Sequence, residues 1–158
     1  MSHKLKKSFY LSILSISIFT IFSALYIEYV LSIPVCKLCL YQRIPYIFSI
    51  VICFFGYFFS NNKLWSYFLL LIFLISATIS GYHIGIENNI FKEFSGCTSN
   101  NLNIIDKDEL LQNLNNNLQN CKDVNFRIFG LSLATINFIL SIALTLIVIK
   151  YLQNEKNK

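Results

Sequence analysis

Four long apolar runs dominate the chain, at about residues 9–30, 44–60, 64–82 and 128–152. Each is close to the ~20 residues that an α-helix needs to cross a hydrocarbon core about 30 Å thick. Because lipid offers no hydrogen bonds to exposed backbone, each run is expected to be helical. The pattern predicts an all-α membrane protein, a four-transmembrane-helix bundle in a single domain over residues 1–158.

The positions of the basic residues predict the orientation of this bundle, since positively charged loops tend to remain cytoplasmic. Lysines precede the first run, occupy the turn between the second and third, and lie at the carboxyl end of the chain: Lys4, Lys6, Lys7, Lys63, Lys150, Lys156 and Lys158. All of these segments fall on one side, so both termini are predicted to be cytoplasmic. The short loop 31–43 and the long loop 83–127 are then periplasmic.

Composition agrees with a membrane protein, because the chain is 55% hydrophobic and only 13% charged. The net charge of +5 follows from the lysines that set topology, so it does not indicate nucleic-acid binding. The basic start also raises the possibility of a signal peptide. Its apolar stretch is longer than the usual ~7–15 residues, however, and Glu28 and Tyr29 stand where small cleavage-site residues would be expected. The first run is therefore predicted to remain as an anchor.

Small residues recur along two of the predicted helices, as expected where helices approach closely in lipid. The second helix carries Ser49, Cys53, Gly56 and Ser60, and the fourth carries Gly130, Ala134, Asn137, Ser141 and Thr145. Both stripes predict helix contacts in a compact bundle. Cys53 lies within one of them, so it is interpreted as a packing residue, as buried free cysteines usually are.

The other four of the five cysteines lie in the two predicted periplasmic loops, where disulfides persist in bacteria. This distribution predicts two disulfide pairs. Cys36 and Cys39 have the two-residue spacing that lets sulfurs meet across one turn, at the start of the second helix. The helix dipole stabilises a thiolate there, so at least one of these thiols is expected to have a lowered pKa.

A zinc site is the main alternative for this cysteine pair, since zinc proteins, redox centres and chance all produce the spacing. Four cysteine ligands would require Cys97 and Cys121, which lie 24 positions apart and form no second compact knuckle. No metal is therefore predicted. Arg43, four residues after Cys39, needs an anionic partner at the membrane boundary, either a thiolate or a ligand oxygen.

Two features of the long loop permit more than one interpretation. His83 is either an interfacial side chain with a satisfied hydrogen bond or a donor to a quinone carbonyl. Asp106 and Glu109 form a potential capping box for a short amphipathic helix over 106–120. This helix would lie on the membrane surface or pack against the bundle.

In these motifs the chain resembles the bacterial disulfide bond formation protein B (DsbB) family. The matching residues are Cys36-x-x-Cys39-x-Tyr41-x-Arg43, Tyr82-His83-x-Gly85-x-Glu87, Cys97, Cys121 and the run Phe126-Arg127-x-Phe129-Gly130-Leu131-Ser132-Leu133-Ala134. These motifs cover nearly the whole chain in this order. The region between Gly96 and Cys121 is rich in asparagine and does not match the family residue by residue.

The resemblance implies a thiol oxidase of the bacterial inner membrane. A reduced periplasmic thioredoxin-fold dithiol oxidase (DsbA-like) would attack Cys97 of a Cys97–Cys121 disulfide. Exchange with Cys36 and Cys39 would then pass the electrons to a membrane quinone, either ubiquinone or menaquinone. Cys39 would face the quinone, and Arg43 and His83 would lie at its site.

Two other functions are alternatives to this expectation. A vitamin K epoxide reductase-like protein also combines four helices, a quinone and two cysteine pairs. Its membrane Cys-x-x-Cys follows the loop cysteines, whereas Cys36 and Cys39 precede them here. A structural or transport-accessory protein is the second alternative. A transporter should carry ionisable residues at mid-membrane, where this chain has only Asn137 and small hydroxyl residues.

Overall fold

The computed structural model describes residues 3–33, 35–59, 62–92, 121, 127–128 and 130–156. Within them, four helices are long and apolar enough to span a membrane. They are α1 (His3–Tyr29), α2 (Lys37–Phe58), α3 (Leu64–Glu87) and α4 (Leu133–Lys156). This confirms the predicted four-helix all-α membrane fold. Two short antiparallel strands, β1 (Arg127–Ile128) and β2 (Leu131–Ser132), precede α4.

Two helices extend further toward the cysteines than the apolar runs indicated. α2 begins at Lys37 instead of near residue 44, and α3 continues to Glu87 instead of ending near residue 82. Residues 37–43 and 83–87 are therefore helical. Their assignment to the predicted loops 31–43 and 83–127 is wrong. Hydropathy marks the part of a helix that contacts lipid, whereas the helix ends depend on capping hydrogen bonds.

α4 begins later than predicted because a tight turn precedes it. Gly130 connects β1 to β2 with a φ of +82°, a left-handed conformation that glycine adopts without a steric cost. Ser132 then caps the helix, since its hydroxyl oxygen accepts a hydrogen bond from the backbone N–H of Thr135 at 3.2 Å. Gly130 is exposed and lies outside α4, so it does not belong to the small-residue stripe.

The helices pack in chain order, α1 against α2, α2 against α3, and α3 against α4. An apolar cluster fills the middle of the bundle, and its fully buried members include Leu69, Phe73 and Val148. Cys53 is also completely buried in this cluster, which confirms it as a packing residue.

The first and last helices meet at one end of the bundle, here called the lysine end and defined by Lys6, Lys63 and Glu155. Lys6 forms an ion pair with Glu155, and Lys63 Nζ donates to the Glu155 backbone oxygen at 3.3 Å. Phe9 stacks on Tyr151 nearby, with ring centroids 3.8 Å apart. The amino-terminal helix, the α2–α3 turn and the carboxyl-terminal helix therefore share this end.

Candidate redox site

The opposite end of the bundle is here called the cysteine end and is defined by Cys36, Cys39, His83 and Cys121. Cys36 occupies the N-cap position of α2, where its sulfur accepts a hydrogen bond from the Cys39 backbone N–H at 3.3 Å. Cys39 lies in the first turn of the same helix. The cap geometry therefore places the two side chains on the same side of the helix entrance.

Cys36 and Cys39 are free thiols in this structure, with sulfurs 2.8 Å apart. A small rotation of either side chain brings them to the ~2.05 Å of a disulfide. The Cys39 thiol, hydrogen-bonded to the Cys36 sulfur, lowers the pKa of Cys36 to about 5, and His83 assists while burial opposes the shift. Cys36 is thus the thiol of this pair that is deprotonated at neutral pH.

His83 is buried in the last turns of α3, beside the cysteine pair. Its Nε2 lies 3.6 Å from the Cys36 sulfur, and its Nδ1 lies 2.9 Å from Gln42 Nε2. Glu87, one turn later, places a carboxylate oxygen 3.8 Å from the same Nε2. The imidazole therefore connects the reactive thiol to polar groups inside the bundle.

Cys121 belongs to the same end although it lies far along the chain. It is disulfide-bonded and buried, in one cluster with Cys36 and Ile86, and Cys39 packs against that cluster. Its backbone also interacts with His83. The predicted disulfide partner, Cys97, lies outside the described residues, as does the predicted helix 106–120. The Cys97–Cys121 pairing therefore stays a prediction.

Arg43 has a partner that the sequence interpretation did not foresee. Its guanidinium forms an ion pair with Glu28 on α1, and both side chains are mostly buried. The sequence predicts a thiolate or a ligand oxygen as the partner of Arg43, and the structure has the Glu28 carboxylate in that place. Packing of α1 against α2 brings the carboxylate to the arginine. Arg43 remains one turn from Cys39, whose sulfur it influences electrostatically.

Comparison with known proteins identifies the family. A family model described as "Disulfide bond formation protein DsbB" matches residues 6–151. The chain belongs to the DsbB family. It is therefore a multi-pass membrane thiol oxidoreductase involved in disulfide bond formation. No curated protein and no solved structure matches the chain.

The cysteine end of this DsbB-family protein has groups that suit a quinone. Cys39 is partly exposed whereas Cys36 is buried, so Cys39 is the more accessible of the two thiols. The Arg43 guanidinium lies one helical turn further on and can donate to a carbonyl oxygen. A partly exposed thiol one helical turn from a guanidinium suits an electron acceptor that carries carbonyl oxygens.

The same residues can be tested as a metal site. The ligand atoms of Cys36, Cys39 and His83 all lie within 4.8 Å of one another. Two sulfurs on a tetrahedral zinc ion, with Zn–S bonds of ~2.3 Å, stand about 3.8 Å apart. The observed separation of 2.8 Å is shorter and suits a pair that alternates between dithiol and disulfide.

Two side chains of this site were not recognised from the sequence. Gln42 on α2 is buried. Asn137 on α4 donates a hydrogen bond to it, whereas the sequence pattern predicts only a packing contact for Asn137. They belong to a chain of hydrogen bonds that continues from His83 into the bundle, through Gln42, Asn137, Ser80, Tyr46, Ser141 and Ser76. A buried glutamine in a transmembrane helix is itself a signal of function, since polar groups are costly in lipid.

Proposed function

We propose that this protein reoxidises a periplasmic thioredoxin-fold dithiol oxidase and passes the electrons to a membrane quinone. In this proposal it resides in the bacterial inner membrane, with both termini in the cytoplasm and the cysteine end at the periplasmic face. The observation that carries the proposal is the shared burial of disulfide-bonded Cys121 with the Cys36 and Cys39 dithiol. Two redox pairs at one end of a membrane bundle can exchange disulfides without a large motion.

The exchange begins at the Cys97–Cys121 pair. One thiolate of the reduced partner attacks Cys97, which breaks the Cys97–Cys121 bond and leaves Cys121 as a thiolate. The second partner thiol then displaces Cys97, so the partner leaves with a disulfide. Two electrons and two protons have moved from the partner to Cys97 and Cys121.

The second exchange returns the loop cysteines to the oxidised form. The Cys121 thiolate attacks Cys36 of a Cys36–Cys39 disulfide, and Cys39 leaves. Cys97 then attacks Cys121, and Cys36 departs as a thiolate, a suitable leaving group because its pKa is lowered to about 5. The loop pair is now a disulfide and Cys36 and Cys39 are a dithiol. In the structure Cys36 and Cys39 are free thiols and Cys121 is disulfide-bonded, which is compatible with this stage of the cycle.

A bound quinone would accept the two electrons of the Cys36 and Cys39 pair. One of its two protons would come from the Cys39 thiol, and the other would be the proton released to the aqueous side when Cys36 departs as a thiolate. Cys39 presents its sulfur at the accessible side of the pair. Arg43 is held by its ion pair with Glu28, one helical turn from Cys39, and His83 stabilises the charge of Cys36. Each of these side chains is positioned by a helix or by another helix's side chain, so the site is organised before the quinone binds.

The decisive experiment uses the purified protein in lipid nanodiscs with a reduced thioredoxin-fold dithiol oxidase. A short-chain ubiquinone and a menaquinone analogue are tested separately, and quinone reduction is followed by absorbance. We expect one quinone to be reduced for each partner disulfide formed. The Cys39→Ala variant should show only the uncatalysed rate.

Cys53→Ala is the matched control, because Cys53 is a thiol on the same helix that is buried in the apolar cluster. Its activity should stay within a few fold of the parent protein. The proposal is wrong if the folded parent protein leaves the partner reduced with both quinones. It is equally wrong if Cys39→Ala turns over like the parent.

A further inference from the structure

The hydrogen bonds inside the bundle determine which nitrogen of His83 carries the proton. Ser80 on α3 provides the starting point, because its hydroxyl donates to the Ser76 backbone carbonyl at 2.8 Å. A hydroxyl has a single proton, so toward Asn137 the Ser80 oxygen can only accept. The Asn137 atom facing it, at 2.7 Å, must therefore be the amide nitrogen.

The orientation of Asn137 then fixes the orientation of Gln42. The Asn137 oxygen accepts from the Tyr46 hydroxyl at 2.6 Å, and its nitrogen donates a second hydrogen bond to Gln42 Oε1 at 3.1 Å. Because the Gln42 oxygen faces Asn137, its nitrogen faces His83. Each amide is thus held in one of its two possible orientations by partners on α2, α3 and α4.

An amide nitrogen only donates, so the His83 Nδ1 that lies 2.9 Å from Gln42 Nε2 must accept. A neutral imidazole with an unprotonated Nδ1 carries its proton on Nε2. Nε2 faces the Cys36 sulfur at 3.6 Å and the Glu87 carboxylate at 3.8 Å, and both of these groups accept hydrogen bonds. The two sides of the ring therefore favour the same tautomer.

We propose that Gln42 and Asn137 are positioning residues that hold the His83 proton on Nε2, directed at Cys36. Through this tautomer they stabilise the Cys36 thiolate of the reduced pair with a charge-assisted hydrogen bond, which an uncharged disulfide cannot match. The inference deepens the proposed function, since it rests on the role given there to Cys36. The position of the proton, however, can be measured without any turnover.

The direct test is the nitrogen NMR spectrum of His83 in reduced protein labelled with ¹⁵N-histidine. The chain has two histidines, so a His3→Gln parent leaves one signal set. In this parent we expect Nδ1 to be unprotonated and Nε2 to be protonated. A protonated Nδ1 in the neutral ring of the parent would overturn the proposal.

Gln42→Glu gives the sharpest variant, because a carboxylate of nearly the same shape can only accept from Nδ1. We expect Nδ1 to gain a proton in this variant, either in the other neutral tautomer or in the cation. Asn137→Leu leaves the Gln42 amide free to rotate, so both tautomers should be populated. An unprotonated Nδ1 in Gln42→Glu, or a single unchanged tautomer in Asn137→Leu, contradicts the assignment.

Ser49→Ala is the matched control, since Ser49 is a buried serine of α2 that bonds to Ser17, away from His83. Its histidine spectrum should equal that of the parent. Protection of Cys53 from a thiol reagent verifies that each variant is folded, because Cys53 is completely buried.

A second readout follows Cys36 itself by mass spectrometry after brief alkylation at pH 5. Asn137→Leu should alkylate Cys36 about 2- to 7-fold more slowly, because ~0.5–1.5 kcal/mol of lost hydrogen bonding acts on a thiol that is already half protonated at this pH. An unchanged rate together with a mixed tautomer would show that the Nε2 proton does not act on Cys36. If the NMR and alkylation results hold while no quinone is reduced, the proposed function fails and the positioning role stands.

Discussion

The cysteine end and the lysine end of the bundle both bury polar side chains, but they satisfy them in different ways. At the lysine end, Lys6 and Glu155 neutralise each other between the first and last helices. At the cysteine end, uncharged Gln42 and Asn137 lead to a histidine and a reactive thiol. An ion pair whose two charges neutralise each other stabilises the fold. A chain of hydrogen bonds that ends at the Cys36 thiol instead orients the group that acts on this nucleophile.

The largest expected effect is at the cysteine end and concerns disulfide exchange. Cys121→Ala should abolish quinone reduction, because the Cys97–Cys121 disulfide cannot form. When the partner is supplied in its disulfide form, the free Cys97 thiolate should attack it and hold it as a mixed disulfide, while the partner's second sulfur leaves as a thiolate. The adduct is measured on non-reducing gels. Cys97→Ala should also be inactive but should trap little partner. Equal trapping by both variants would show that the partner does not enter at Cys97.

At the lysine end we expect a loss of stability without a loss of chemistry. Glu155→Ala leaves Lys6 as an uncompensated, largely buried charge, which typically costs about 3–5 kcal/mol. Unfolding can be followed by the reaction of Cys53 with a fluorogenic thiol reagent, in a background lacking Cys36 and Cys39. Turnover per folded molecule, measured with those cysteines present, should be unchanged.

Two variants make this stability prediction specific. Replacing Lys6 and Glu155 together should cost less than Glu155→Ala alone, since no unpaired charge remains. Lys150→Ala is the control, because Lys150 is an exposed lysine near the same end. A similar destabilisation by Lys150→Ala would mean that net charge, and not the buried pair, determines stability.

Arg43 lies between the two cases, since it forms an ion pair like the lysine end but stands beside a reactive thiol. We expect Arg43→Ala and Arg43→Lys each to lose ~1–3 kcal/mol of quinone binding free energy. Alanine removes the donor, and lysine lacks the planar array of N–H donors of the guanidinium. The apparent KM for quinone should rise about 5- to 150-fold. Exchange with the partner at Cys97 should survive. A normal KM in both folded variants would make Arg43 a partner of Glu28 alone.

The last prediction concerns a pH midpoint and tests whether Cys36 is the ionised thiol of the pair. Its pKa is lowered to about 5, so the thiolate is present above that pH and is lost as the pH falls through it. Iodoacetamide should therefore react with Cys36 at half its maximal rate near pH 5, compared with about 8.5 for an ordinary cysteine. Peptide mapping separates Cys36 from Cys39. A midpoint near 8.5 would contradict the assignment.

The sequence predicted those parts of the protein that depend on local pattern. Run length predicted four spanning helices, and the small-residue position of Cys53 predicted its burial. The helix ends were predicted poorly because polar residues such as Gln42 interrupt the apolar pattern without interrupting the helix. Capping by Cys36 and Ser132 decides those ends, and hydropathy does not detect caps.

The partners at the site could not be predicted because they are set by packing between helices. Glu28 and Arg43 are 15 positions apart on different helices, Gln42 and His83 are 41 apart, and Gln42 and Asn137 are 95 apart. No periodicity within one helix relates these positions. The sequence could identify His83 by its motif, but not the groups that fix its proton.

The apolar cluster between the two ends has a consequence for energy conservation. Leu69, Phe73 and Val148 are completely buried there, and none of the described residues of this cluster is a carboxylate, lysine, arginine or histidine that could carry charge between the two ends. Under the proposed function, oxidation of the partner's dithiol releases two protons over the whole cycle. Reduction of the quinone takes up two protons, also at the cysteine end. No net charge then crosses the bilayer in this reaction. The electrons released by disulfide formation would enter the quinone pool. They would contribute to the membrane potential only through enzymes that later reoxidise the quinol.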